Sequence, residues 1–400
     1  MRVILHMGDP YPNESPAAKR IRAFYDVLTE HGHQVTVMAP DYRTSSTEDK
    51  DIIYCPTIEM KKKTTAMRML NQLSFAFSSV AYSGRAGKAD VVLTTSPPVL
   101  ISIAGWLIAK LKRAKLIYDV RDIWPDVALE MGSFSEESVF CKVFAFIRDF
   151  MLKHSDLVTA VSPGKVHKLK VYAPDADVAY VTNGLDERFL ENEYHPETAE
   201  KYALTTGFNC VYIGNLGWAQ GLTQLIQLAE RAKENRIDAR FVLFGSGVEE
   251  ESLRKYAEER NLDNVVFAGR VPNAEMFTVL KAAQLSFVSL VNEKLKDSVP
   301  TKMFEALGVG CPVLLSAAGD SADILNECKL GIAVQPNHDE DLWNAFMELY
   351  SNCDKYLQHR NNARSVIMNY YSRQQAAVIL EKHLDRLITY GTKNEVAQNH

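Results

Sequence analysis

The chain has 400 residues, 46% of them apolar and 24% charged, enough for two to three soluble domains with substantial cores. A formal net charge of -5 excludes a general nucleic-acid binder. Residues 1–190 carry 24 Lys/Arg against 22 Asp/Glu and the remainder 21 against 28, so the front half is slightly basic and compatible with a phosphate-bearing or anionic-surface partner, a margin of two charges that decides little.

Short β-rich runs alternate with helical patterns from the start. "RVILHM" (2–7) reads as a strand, Ala17 to Glu30 as a helix, and "HGHQVTVMAP" (31–40) as a turn and a second strand. "ADVVLTTS" (89–96) is a strand, 99–113 a helix and "AKLIYDV" (114–120) a strand. A long helical pattern over 136–153 precedes strands at "SDLVTAVS" (155–162) and "VAYVTNG" (178–184). Such alternation predicts a parallel sheet with helices on both faces. The polar stretch 185–206 is the best boundary, and the alternation restarts beyond it. Strands follow at "FNCVYIG" (208–214), "ARFVLFG" (239–245), "NVVFAG" (264–269), "LSFVSL" (285–290) and "CPVLLS" (311–316). Helical patterns over 339–350 and 354–388 and a polar tail, expected to be disordered, close the chain. The prediction is an α/β chain of two Rossmann-like domains: 1–186, a linker at 187–206, 207–370, a final helical segment at 371–390 and a tail at 391–400.

Cys55, Cys141, Cys210, Cys311, Cys328 and Cys353 are scattered, without Cys-x-x-Cys or metal-ligand spacing, and read as the reduced thiols of a cytosolic protein. Met1 leads directly into the first strand, so no signal peptide is expected. The apolar run from Val99 ends at Lys110, too short to span a bilayer.

Ligands of parallel sheets sit beyond the carboxyl ends of the strands. In the second half those ends read "GNLG" (214–217), "GSG" (245–247), "GRVP" (269–272) and "VNEKLKDSVPTK" (291–302). Glycines there give a ligand access to backbone N–H groups, and helix N-termini favour anions. In "SVPTKMFEALGVGCPVLL" (298–315), Pro300 suits a helix start, with Ser298 or Thr301 as a cap and Gly310 as the stop. Helical spacing turns Met303 and Leu307 to the core and puts Lys302 and Glu305 on another side. Alone, that pair reads as a surface contact of about 0.2–0.5 kcal/mol. Beside the glycines, Lys302 suits a diphosphate and Glu305 the hydroxyls of a ribose.

These features, in order, resemble the retaining GT-B glycosyltransferases of family 4, especially bacterial surface-polysaccharide enzymes that use N-acetylated sugars. The resemblance covers nearly the whole chain. Its carriers are 8–40, "TTSPP" (94–98), "YDVRDIWPD" (118–126), "VTNGLD" (181–186), "YIGNLGWAQGL" (212–222), "FGSGVEEESL" (244–253), "FAGRVP" (267–272) and "VPTKMFEALGVGCPVL" (299–314). It implies two facing Rossmann domains with a cleft between them. The first takes the acceptor, the second holds the nucleotide-sugar, and a last helix, from about Tyr371, returns to the first. It also implies chemistry with no metal and no cofactor, UDP-sugar being a substrate. Implied partners are a polyprenyl-diphosphate-linked saccharide and the inner face of the cytoplasmic membrane, with no nucleic acid.

By position, Glu305 matches the second glutamate of the family's E-x7-E motif, and the first falls at Asp297, one methylene shorter. The family's diphosphate-clamping Arg and Lys fall at uncharged Asn215 and Gln220, which shifts the weight to Lys302 and Arg270. The resemblance implies a donor site of Gly214, Asn215, Gly217, Gln220, Gly245, Arg270, Val271, Lys302 and Glu305. Asp122, Lys302 and Asp297 are the catalytic candidates, with Gly8, Ser15, Arg121 and Trp124 on the acceptor side. The family's His-Asp pair falls at Arg121-Asp122, so Asp122 is the candidate for orienting the acceptor hydroxyl. The expected route is direct front-face substitution, with phosphate helping to take the proton.

Several residues carry two readings. Arg121–Asp122 is an ion pair at a strand end or part of the site. Trp124 and Trp218 are core lids or sugar platforms. His6 is a structural histidine or faces the cleft. Lysines 61–63, with Arg68, Trp106, Lys110, Lys112 and Arg113, are a solvated face or a membrane-docking surface. Rival functions are a nucleotide-sugar 2-epimerase of the same fold, a nucleotide-binding subunit without turnover, and an NAD-dependent oxidoreductase. The last requires G-x-G-x-x-G after the first strand, which "HMGDPYPNES" lacks.

Overall fold

The computed structural model describes residues 1–13, 15–42, 50–60, 64–132 and 134–390. Lysines 61–63 and the tail 391–400 lie outside the described residues. The chain divides into two compact units, Met1–Asn183 with the segment from Arg373 onward, and Gly184–Ser372.

The first unit holds β1 (Arg2–His6), α1 (Pro16–Glu30), β2 (Gln34–Asp41), β3 (Ile52–Pro56), α2 (Thr65–Tyr82), β4 (Val91–Ser96), α3 (Ile101–Lys112), β5 (Lys115–Val120), α4 (Asp126–Glu130), α5 (Val139–His154), β6 (Leu157–Ala160), α6 (Pro163–Tyr172) and β7 (Val178–Tyr180). Its seven strands are parallel in the order β3-β2-β1-β4-β5-β6-β7. Alternating side chains feed two cores. Leu5, Val37 and Leu93 pack with Ile21 and Phe24 of α1. Ile4, Met38 and Val92 pack with Phe75 of α2, Ile108 of α3 and Phe144 of α5.

The second unit holds α7 (Pro196–Lys201), β8 (Phe208–Ile213), α8 (Thr223–Glu234), β9 (Ala239–Phe244), α9 (Glu250–Glu259), β10 (Val265–Gly269), α10 (Asn273–Ala282), β11 (Leu285–Ser289), α11 (Thr301–Val309), β12 (Val313–Ser316), α12 (Asp320–Cys328), β13 (Gly331–Val334), α13 (Asp339–Ser351), α14 (Cys353–Leu357) and α15 (Arg360–Tyr370). Its six strands are parallel in the order β10-β9-β8-β11-β12-β13. The last helix, α16 (Arg373–Tyr390), belongs to the first unit. It buries Ala377, Leu380, Leu384 and Leu387 at helical spacing in the core that contains α1.

Three differences from the sequence reading have local causes. The stretch 187–206 is no free linker. It forms a short 3-10 turn and α7, buries Ala199 and Leu204, and ties Lys201 and Tyr202 to Glu275 of α10, at 2.9 Å and 2.7 Å. The pattern at 354–388 is three helices. At Tyr371–Ser372 the backbone leaves the helix to pair with Leu185, whose N–H donates to the Tyr371 carbonyl at 2.8 Å. The short edge strands β3 and β13 and the helix α2 escaped notice. α2 buries Asn71, Phe75 and Ser79 and turns Met69, Leu70, Leu73 and Phe77 outward, so its apolar stripe does not mark the side that faces the core.

Each sheet reverses its order beside its first strand, between β1 and β4 and between β8 and β11. Such switch points are where parallel sheets hold ligands. At the second, the exit loops of β8 and β11 are tied together, because the Val291 N–H donates to the Ala219 carbonyl at 3.0 Å.

Candidate functional site

α11 begins on Pro300, and no side chain caps it, so neither Ser298 nor Thr301 serves as the expected cap. Met303 and Leu307 are fully buried, and the helix stops at Gly310 in the left-handed region. Lys302 therefore leaves the first turn of a helix anchored in the core.

The half-buried Lys302 does not form a surface pair with Glu305. Its Nζ donates to the Tyr212 hydroxyl at 2.9 Å and to Gln220 Oε1, and lies 4.2 Å from the centre of the Tyr212 ring. Tyr212 is fully buried and donates its own hydroxyl to the Asn215 carbonyl at 2.7 Å. A Cβ at Gly214 would lie 3.1 Å from the Tyr212 hydroxyl and 3.5 Å from Lys302 Nζ, so only hydrogen stands there beside the cation. Burial lowers the Lys302 pKa to about 7, against the raising effect of the Glu305 charge. Its hydrogen-bond partners are neutral. Gly214, Asn215, Gln220 and Lys302 are thus brought together, and Tyr212 joins them, a residue that sequence reasoning missed. Nothing marked it, because an aromatic in a buried strand reads as core.

The glycines of the neighbouring loop have a different cause from the one expected. A Cβ at Gly245 would stand 1.8 Å from the Gly214 carbonyl oxygen, and one at Gly247 2.1 Å from that of Leu216. These positions let the exit loops of β8 and β9 lie against each other, whether or not a ligand approaches. Gly217 is similarly close to the Asn215 side chain. Arg270 is exposed and donates to Ser246 Oγ at 2.7 Å, on the β9 side and outside the hydrogen bonds of Lys302. Val271 beside it is half-buried. Glu249, in the same loop as Gly247, buries one carboxylate oxygen with no hydrogen-bond partner among the described residues. Burial raises its pKa, and its charge adds to the burial that raises that of Tyr212. Asp297 is buried and Glu305 half-buried. Trp218 is 68% exposed, which removes its core-lid reading.

In the first unit, Arg121 donates to Thr95 Oγ1 at 3.0 Å and to the Pro97 carbonyl, and lies 3.5 Å from Asp9. Burial raises the Asp9 pKa, and Arg121 opposes it. The Arg121–Asp122 ion pair does not form. Among the described residues the half-buried Asp122 carboxylate has no hydrogen-bond or ion-pair partner. Thr95 donates to Asp119 at 3.0 Å, and so links Arg121 to a buried pair that sequence reasoning also missed. Asp119 accepts from Arg20 at 2.8 and 3.2 Å and from Thr159 at 2.7 Å. Burial opposes its charge, but Arg20 and these donors win and hold its pKa below the usual value.

Other first-unit candidates serve the fold. Ser15 caps α1, accepting from the Ala18 N–H at 3.2 Å. Gly8 sits where a Cβ would meet Pro98 at 2.8 Å. Trp124 stands edge-on to Phe140 and Phe144, a core lid. His6 is buried, stacked on Phe75 and bonded to Thr94 Oγ1 at 3.0 Å, and burial lowers its pKa to about 3. It is a neutral structural residue.

Two family models match. One, described as "Glycosyl transferases group 1", covers residues 196–366, and the other, "Glycosyl transferase 4-like domain", covers 17–184. The chain is 23% identical over 286 residues to "Probable glycosyltransferase WbjE" of Pseudomonas aeruginosa, over 69% of this chain and 70% of that one. It is 24% identical over 345 residues to "Putative colanic acid biosynthesis glycosyl transferase WcaI" of Escherichia coli, over 79% and 83%. Among solved structures it superposes on sucrose-phosphate synthase of Thermosynechococcus elongatus with TM-score 0.81 at 16% identity, covering 97% of this chain and 99% of that one. Anabaena HepE in complex with UDP gives TM-score 0.72 at 14% identity, covering 97% and 100%. These structural likenesses show the fold, the GT-B type built on two parallel-sheet α/β domains.

Proposed function

We propose, from the matches of one stretch to the group 1 glycosyl transferase model and of another to the glycosyl transferase 4-like domain model, that the chain moves an N-acetylated hexosamine or deoxyhexosamine from a UDP-sugar to a lipid-linked saccharide, with retention, in bacterial surface-polysaccharide synthesis. The names of the relatives support the pathway class, and the UDP in a structural neighbour supports the nucleotide. The observation that carries the reading is Lys302, a cation held by neutral groups at the switch point of a parallel sheet.

In this reading Lys302 and the uncapped N-terminus of α11 meet the diphosphate, with Arg270 and the Gly214–Gly217 backbone beside it. Glu305 accepts from the ribose hydroxyls. As the anomeric bond to phosphate breaks, negative charge grows on the departing diphosphate. Fixed donors at such a place are worth about 2.7–4 kcal/mol each in comparable oxyanion sites. The partial burial that makes a lone ammonium costly strengthens its attraction to the diphosphate once water is displaced. Asp122, without a hydrogen-bond partner among the described residues, orients the acceptor hydroxyl, Asp297 stands beside the donor sugar, and the phosphate helps to take the hydroxyl proton on the front face. The charge comes from Lys302, Arg270 and backbone dipoles, so no metal is required. The enzyme works in the cytoplasm, peripheral to the membrane that holds its acceptor.

The test is transfer from a panel of UDP-sugars to a polyprenyl-diphosphate-sugar, with the new anomeric configuration read by NMR. Retained configuration supports the reading. UDP release that needs no acceptor would favour the epimerase, and UDP binding with no turnover on any acceptor a binding subunit. For Glu305→Ala, calorimetry should show weakened UDP binding, and unchanged affinity would remove Glu305 from the ribose.

A further inference from the structure

The outward side of one helical layer in the first unit is built unlike an ordinary solvated face. α2, α3 and α5 share one core cluster on one side of the sheet, with α3 packed against both of the others. Each also turns large apolar side chains outward. On α2 these are Leu73 and Phe77, one turn apart and opposite the buried Phe75. On α3 they are Leu107 and Leu111, and on α5 Val143 and Phe146. Phe77, Leu111 and Phe146 are 77%, 66% and 68% exposed, which no packing within the unit explains. Exposed apolar residues scattered singly are normal, but stripes on three neighbouring helices are not.

The charge on the same layer is one-sided. α2 and α3 contain no Asp or Glu, and carry Arg68, Lys110 and Lys112, with Arg113 at the end of α3. α5 adds Lys142 and Lys153 against the single acid Asp149, while its Arg148 is turned inward to Asp126 at 2.9 Å. Helices of the second unit show the opposite pattern: α9 reads "EESLRKYAEE" and α13 opens on three acids.

We propose that this outer face of α2, α3 and α5 is a docking surface for an anionic lipid bilayer. The side chains of Phe77, Leu111 and Phe146 enter the acyl boundary, and the flanking Lys and Arg meet lipid phosphates. The inference deepens the lipid-linked acceptor reading and rests on it for its purpose. A protein partner with an acidic rim would fit the charge alone. The apolar stripes together with basic flanks fit the interface of a bilayer, where the acceptor lies.

The experiment is flotation of the full chain with vesicles of phosphatidylcholine alone and of phosphatidylcholine with phosphatidylglycerol. The wild type should float with the anionic vesicles and much less with the neutral ones. The variant Phe77→Ser/Leu111→Ser/Phe146→Ser should lose at least about tenfold in vesicle affinity. Lys110→Glu/Arg113→Glu should lose roughly fivefold or more per residue. Both should keep the wild-type thermal melt and UDP affinity, which reports a folded chain. Wild type that ignores anionic vesicles, or a triple variant that floats unchanged, overturns the surface. So does a wild-type dimer by light scattering that the triple variant converts to monomer, which would give the face to a second copy. Flotation without transfer to any acceptor would sink the enzymatic reading and leave the surface standing. Transfer to detergent-solubilised acceptor without flotation would do the reverse.

Discussion

The two α/β units handle buried charge in opposite ways. In the first, three inner arginines have carboxylates. Arg20 is held by Asp119, Arg121 lies near Asp9 and Arg148 binds Asp126. In the second, Lys302 is held by a phenol and an amide. A charge neutralised in place stabilises one arrangement of the chain and has little left for a ligand. A charge fixed by neutral dipoles keeps its field, at the cost of an easily lost proton. That difference separates framework from candidate site better than residue type does.

Breaking the framework should have the largest effect. Asp119→Asn leaves the Arg20 guanidinium buried without its counter-charge. It should cost about 3–5 kcal/mol in denaturant unfolding, and an unchanged midpoint would deny the pair its structural role. Lys302→Ala should instead leave stability near wild type while turnover falls by about 10²–10³. Near-normal turnover would end its role as the phosphate cation. Tyr212→Phe removes one hydrogen bond to the charged amine, worth about 1.5–3 kcal/mol, and should lower kcat by about tenfold or more. The same change favours the neutral amine, so the alkaline limb of the pH profile should move to lower pH. A purely structural tyrosine would leave that limb in place.

The smallest effect is a proton. With the Lys302 pKa lowered to about 7 by burial, the amine is mostly neutral at about pH 8, and a diphosphate beside it restores the charge. UDP binding at that pH should take up a fraction of a proton, measured by calorimetry in buffers of different ionisation enthalpy. Lys302→Ala should abolish the uptake. For folding the sign is opposite to that of a paired cation. Between about 7 and the ordinary lysine value the unfolded chain holds the extra proton, so this group makes stability rise with pH across that window.

Much of the architecture was legible because it is periodic. Strand runs ending in glycine, helices with period 3.6 and the stop at Gly310 are local properties, and α11 follows its predicted course to Val309. What escaped was either short, like β3 and β13, or, like α2, a helix whose apolar stripe faces outward while Asn71, Phe75 and Ser79 are buried. In the site, Lys302 and Glu305 stood out as charges in an apolar run, whereas Tyr212 and Asp119 did not, since Tyr212 meets Lys302 and Asp119 meets Arg20 from far along the chain.

By itself the sequence determined the alternation of strand and helix, the glycine-rich exits of the strands and the presence of Lys302 at the head of α11, since each depends on residues within a few positions of one another. Only the tertiary structure decided what each charge faces. It turned Arg121 toward Asp9 and away from Asp122, enclosed His6, set Gly245 against the Gly214 carbonyl, and gave Lys302 to Tyr212 and Gln220. The reason is that a charge is tuned by burial and by neighbours within a few ångströms, and in a parallel sheet those neighbours come from strands and loops far apart in the chain.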